Sequence, residues 1–131
     1  MSQNLPQIHI SKSDFDRLSA LAFHSELATA RDLEEELGRA VIVSDSELPE
    51  DIVTMDSTIE FKDLDSNTSS MVTLVYPEQV KGEGTRVSIL APVGVALLGL
   101  RINDVVEWPV PGGFKRRLKV VSVHEQDRKN E

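Results

Sequence analysis

Along the first third of the chain, apolar residues return every three or four positions. From Val53 onward they alternate in short runs bounded by turn residues, so the change of period separates a helical section from a strand section. In SKSDFDRLSALAFH, Phe15, Leu18 and Leu21 or Ala22 share one helical face. Ser13 is a candidate cap with Asp16 three residues on, which predicts a helix over 14–23. HSELAT interrupts the stripe. Thr29 and Asp32 offer a second capping box, and Ala30, Leu33, Leu37 and Ala40, spaced alternately by three and four, predict a helix over 30–41 with a two-helix seam. The result is a short antiparallel helical hairpin whose arms reach only about 15 to 18 Å.

The polar, proline-bearing stretch SDSELPED marks a boundary, dividing the chain into a hairpin over 1–43, a linker over 44–52 and a β section over 53–131. STIEFKDL, SMVTLVYP and TRVSILA predict three strands, joined through DSNTS and a turn at Gly82 to Gly84. DVVEWPV and FKRRLKVVSVHE predict two more, joined by the turn PGG. Pro109 places the fourth strand at an edge or a bulge, since proline cannot donate to a sheet ladder. Between the third and fourth strands lies LAPVGVALLGL. Pro92 suits the first helical position, Val93, Ala96, Leu97 and Leu100 fall at helical spacing, and Gly99 stands where a left-handed helix end is wanted. These signals predict a two-turn helix over 92–98 covering one face of a five-stranded antiparallel sheet. The fold class is therefore α+β. Gly94 leaves one side of the short helix bare, for close packing on a strand or for a docking partner.

Composition narrows the chemistry. At 131 residues, with 40% hydrophobic and 27% charged residues, the chain has the balance of one ordinary globular unit. It lacks cysteine, which removes disulfides, thiolate nucleophiles and Cys-containing metal sites and suits a reducing cytoplasm. MSQNLPQIHISKSDFD has neither a basic start nor an apolar run, so neither secretion nor a membrane anchor is expected. The net charge of −8 is uneven: residues 1–60 hold 4 Lys and Arg against 13 Asp and Glu, residues 61–131 hold 10 against 9. An acidic first half repels phosphate backbones, so protein partners are expected rather than direct, sequence-specific nucleic-acid binding.

Other constellations are weaker. His9, His24 and His124 are scattered and form no ligand set. Glu34, Glu35 and Glu36 point about 100° apart along a helix and read as a solvated face. Lys115, Arg116, Arg117 and Lys119 form a basic cluster that reads as charge protecting an edge strand. No Gly-x-Ser-x-Gly turn and no phosphate loop is present.

The segments APVGVALLG, INDVVEW and PGG resemble the C-terminal domain of the Gre transcript-cleavage factors. LPEDIVTMDSTIEF, VTLVYP and APVGVALLGLR are similar more narrowly to the Rnk family, the regulators of nucleoside diphosphate kinase, which are small relatives of GreA and GreB. The resemblance implies a coiled-coil hairpin followed by a domain with the fold of FK506-binding proteins. It also implies docking on bacterial RNA polymerase at the mouth of its secondary channel. In Gre factors a long hairpin presents two tip acids that help hold a catalytic magnesium. Here the hairpin is short and its tip, His24, Ser25 and Glu26, has one acid, so the resemblance implies a non-catalytic regulator competing with Gre-type factors. Neither metal nor cofactor is expected, and a monomer is. The docking segment it implies is Leu90, Ala91, Pro92, Val93 and Gly94. Gre factors carry an acid and a serine where this chain has Leu90 and Ala91, which implies a more apolar contact. An active transcript-cleavage factor and a prolyl isomerase of the FKBP-like fold are the alternatives, the second poorly served by so few aromatic residues. An interaction module with an unrelated partner is a third.

Overall fold

The computed structural model describes residues 6–80, 85–109 and 115–125. The chain opens with a short strand, β1 (His9–Ser11), and two helices, α1 (Lys12–His24) and α2 (Ala28–Arg39), followed by a second short strand, β2 (Val41–Val43). After a 3-10 turn at Asp45–Glu47 come β3 (Ser57–Asp63), β4 (Thr68–Val75), β5 (Arg86–Ser88), the six-residue helix α3 (Pro92–Leu97), β6 (Val105–Pro109) and β7 (Lys115–Glu125). The turns expected at Gly82 to Gly84 and at PGG lie outside the described residues.

The hairpin forms on the expected seam. Leu18 and Ala22 of α1 are buried with Ala30, Leu33 and Leu37 of α2, while Phe15, Leu21 and Ala40 pack half-buried against them. Its boundaries differ from those the sequence predicts. Ser11, not Ser13, caps α1, its hydroxyl accepting from the Asp14 N–H at 3.2 Å, because β1 delivers Ser11 in the extended conformation a cap needs. The Ser13 hydroxyl instead donates to the Asp45 carboxylate at 2.6 Å. The expected box of Thr29 and Asp32 is absent: α2 starts at Ala28, so Thr29 is already inside it, and Leu27 occupies the cap position without a side-chain bond. At its other end α2 stops at Arg39 rather than Val41. The β-branched run Val41, Ile42 and Val43 pairs in parallel with His9, Ile10 and Ser11, and Val41 N–H donates to the Ile8 carbonyl at 2.9 Å.

The five strands predicted from alternation are all present, in the order β5-β4-β3-β7-β6. The sheet is antiparallel except for its β4–β5 edge, where three residues pair in parallel, from Thr73 with Arg86 to Val75 with Ser88. β6 is an edge strand, as Pro109 requires. β7 is not: it lies between β3 and β6, so the edge-protection reading of its basic residues is wrong. Its two arginines serve acids at the β3–β4 turn instead, Arg116 pairing with Asp63 at 2.7 Å and Arg117 with Asp65 at 3.2 Å. A bulge between Glu60 and Phe61 interrupts the β3–β7 ladder.

Helix α3 forms where its punctuation predicts, with Pro92 at the first position and Gly99 at φ 81° just past its end. It contacts both β6 and α2, a middle layer between sheet and hairpin. Its buried face accordingly comprises Gly94, Val95, Leu97 and Leu98, rotated from the expected stripe in which Val93 and Ala96 prove only half-buried. Ile59, Phe61, Leu74, Leu118 and Val120 of the sheet, Leu97 and Leu100 around α3, and Ile8, Leu18, Leu33 and Leu37 of the hairpin form one continuous core. Backbone bonds fasten the layers: His9 N–H to the Gly99 carbonyl at 3.1 Å, Val53 N–H to Leu100 at 2.8 Å, Gly99 N–H to Val53 at 3.0 Å. The connector is tied down too, through Arg101 paired with Asp51 at 3.3 Å and through buried Ile52.

Candidate functional site

Two places hold the residues singled out in the sequence: the loop entering α3, and the tip of the hairpin. In the loop, Ser88 organises the approach to the helix. Its hydroxyl accepts from the Leu90 N–H at 2.9 Å, and its carbonyl accepts from the Ala91 N–H at 2.9 Å. Ala91 then stands at the cap, extended and without a side-chain bond, and its carbonyl accepts from Val95 N–H at 3.1 Å. Proline at the next position loses nothing, since its missing N–H would have had no helical partner. The outcome is an apolar surface of half-buried Leu90, Ala91 and Val93 around exposed Pro92.

Gly94 is not part of that surface. It is buried, and a Cβ built on it would stand 2.5 Å from the Ser88 carbonyl oxygen and 3.2 Å from the Ile89 Cα. Its bareness therefore serves close helix-to-strand packing, which leaves four of the five expected docking residues accessible.

At the tip, His24 ends α1, Ser25 caps it and Glu26 is exposed. Ser25 N–H donates to the Ala22 carbonyl at 3.3 Å, and its hydroxyl accepts from Leu27 N–H at 3.2 Å. Arg31 of α2 reaches back across the turn, donating to the carbonyls of Ala22 at 2.9 Å and Ser25 at 3.4 Å, where the end of a helix welcomes a cation. No second carboxylate adjoins Glu26 in the sequence. Instead the tip displays Phe23 and Leu27, 76% and 56% exposed, which the periodicity gave no reason to select. One signal was available: Phe23 follows Ala22 directly, so it cannot share Ala22's buried face.

The remaining chemistry is dispersed. Among the described residues, no three His, Asp or Glu side chains gather at metal-binding distance. Glu34 and Glu36 turn to Arg31 and Arg39, at 3.0 and 2.8 Å, so the three consecutive glutamates diverge as helix geometry requires. Asp65 has its carboxyl held below the usual range, chiefly because it accepts the Arg117 backbone N–H at 3.0 Å. Burial pushes the Tyr76 hydroxyl well above its ordinary value, and the nearby Asp14 carboxylate adds to the effect. No described helix is long and apolar enough to cross a membrane.

The chain has relatives among known proteins. Residues 48–125 match the family model described as transcription elongation factor, GreA/GreB, C-terminal, and residues 6–43 match that of the Rnk N-terminus. The chain is 39% identical over 124 residues to the regulator of nucleoside diphosphate kinase of Escherichia coli, covering 92% of this chain and 91% of that one. It is 38% identical over 84 residues to transcription elongation factor GreA of Clostridium botulinum, spanning 64% of this chain and 52% of the longer relative. Among solved structures, a prokaryotic transcription elongation factor GreA/GreB from Nitrosomonas europaea superposes with a TM-score of 0.75 at 45% identity, over 91% of this chain and 98% of that one.

Proposed function

We infer the function from the lineage: the chain belongs to the GreA/GreB family, with the Rnk type of N-terminus, and we propose that it is a non-catalytic transcription regulator that binds bacterial RNA polymerase. It docks at the secondary channel and excludes Gre-type factors. The observation that carries this reading is the tip, where a helix of 13 residues turns into one of 12 with Glu26 as the lone acid of the turn. Arms of that length extend only about 20 Å. Holding a catalytic ion for phosphoryl hydrolysis needs carboxylates placed together at the reacting phosphate, and one carboxylate on a short arm does not supply them.

The labour divides between the parts. The β section grips through Leu90, Ala91, Pro92 and Val93, and the hairpin over 1–43 occupies space that a longer arm would use. The E. coli relative is named for nucleoside diphosphate kinase. In this reading any such effect of the present chain is an indirect result of altered transcription.

The test is retention on purified core polymerase in competition with a GreA protein. Wild type should bind and be displaced by GreA. Pro92→Arg, at an exposed position, should stay folded and lose retention. Failure of the wild type to bind core polymerase sinks the proposal, and so does magnesium-dependent shortening of RNA in stalled complexes on its addition.

A further inference from the structure

The two most exposed large hydrophobic side chains among the described residues, Phe23 and Leu27, bracket the same turn. Neither is there for local stability. Leu27 holds a helix cap position, where serine, threonine, asparagine or aspartate would satisfy an N–H that leucine leaves without a side-chain acceptor. Phe23 lays its ring edge-on to His24 at 5.1 Å, itself exposed, and so gains little burial. A local rule broken twice within five residues, with no compensating gain in packing, marks a site kept for contact.

The turn carrying them is held in place. Arg31 spans it through one nitrogen, Nη2, bonded to the Ala22 and Ser25 carbonyls while its Nε pairs with Glu34 at 3.0 Å, and the Ser25 hydroxyl fixes the Leu27 N–H. Apolar groups presented on a fixed frame lose little freedom on binding.

Charge selects the occupant. Every lysine and arginine of the hairpin is engaged within the molecule: Lys12 with Asp16, Arg17 over Tyr76, Arg31 with Glu34, Arg39 with Glu36. Glu26, Asp32 and Glu35 are exposed and make no ion pair among the described residues. The knob therefore stands in a negative field. A second copy, carrying the same acids and a net charge of −8, is repelled, and so is a nucleic acid.

We propose that Phe23 and Leu27 form a preorganised apolar knob that seats in an apolar socket with a basic rim on a protein partner. The inference rests on the polymerase reading above and deepens it: the tip contributes affinity through burial where longer relatives contribute acids to chemistry.

The experiment measures binding of full-length wild type, Phe23→Ser, Leu27→Ser and the double variant to purified core polymerase, with Met71→Ser, exposed on the open face of the sheet, as the control. The double variant should bind at least about tenfold more weakly, as for a small cluster of anchoring residues. Met71→Ser should bind as wild type does. Leu27→Ser carries a second signature: a preferred cap residue raises Tm by about 2–5 °C while affinity falls. A double variant that binds like a binding-competent wild type overturns the inference and leaves the polymerase reading standing. A wild type that does not bind overturns both. Self-association of the wild type that the double variant abolishes would assign the knob to a second copy and overturn the inference.

Discussion

The guanidinium of Arg17, on α1, lies 3.9 Å above the ring centre of Tyr76, the residue that follows β4. The contact joins the hairpin to the sheet. Tyr76 is 4% exposed, its ring covered by the cation and its hydroxyl buried without a protein partner among the described residues.

Arg17→Ala should therefore lower stability by about 1 kcal/mol, as a cation over a buried ring contributes. Tyr76→Phe keeps the ring and removes the unpartnered hydroxyl, so stability should hold or rise by about 1 kcal/mol. A loss above that size on Tyr76→Phe in urea denaturation would contradict the assignment.

Tyr76 also predicts an alkaline limit. Its folded pKa is raised, first by burial and then by Asp14, so the folded state keeps the proton longer than the unfolded chain does. The linked stability is complete below about pH 10 and is lost as pH rises toward the folded value. Tyr76 is the only tyrosine, so phenolate absorbance reports it alone. Phenolate should appear together with loss of structure; its appearance in a fully folded chain near the ordinary tyrosine pKa would refute this.

Three glycines should respond in three ways. Gly94→Ala forces its Cβ against the Ser88 carbonyl, 2.5 Å away, and should destabilise by about 1–3 kcal/mol through overpacking. Gly99→Ala should cost more, because φ 81° is strained for alanine and its Cβ would also stand 2.7 Å from the Ile8 Cβ. Gly38 has nothing within 4 Å, and alanine there should stabilise α2 by about 0.5–1 kcal/mol. Equal effects at Gly94 and Gly38 in chemical denaturation would refute the packing argument.

The β3–β4 turn depends on Asp63, whose carboxylate accepts from the N–H groups of Asp65 and Ser66, at 2.9 and 3.1 Å, and from Arg116 at 2.7 Å. Asp63→Ala should cost about 2 kcal/mol by leaving these donors without their acceptor. Neighbouring Asp65 has a depressed pKa, so its support is present above about pH 4 and lost as pH falls through the folded value. In an NMR titration, Arg117→Ala should raise the Asp65 pKa only partway, since the backbone N–H that dominates the shift remains.

If arm length decides against catalysis, supplying the missing acid should not restore it. Ser25→Asp places a second carboxylate beside Glu26, and RNA in stalled polymerase complexes should still not be shortened. Cleavage by that variant would show that acids, not reach, were lacking.

Local rules, readable along the chain, account for the elements and their faces. The period of three and four fixed the seam of Leu18, Ala22, Ala30, Leu33 and Leu37. Alternation located five strands, Pro109 marked an edge, and Pro92 with Gly99 bracketed α3, because each signal lies within one turn or one strand of the residue it governs. Which strands became neighbours was settled by long-range packing. His9 pairs with Val41 across the whole hairpin, β7 lies inside the sheet rather than at its rim, and β5 joins β4 in parallel. Periodicity gives each strand a face but never a neighbour. The same limit applied at the sites: Gly94 could have faced a partner or a strand, and Phe23 and Leu27 could have been covered or bare, until the packing of distant segments settled both.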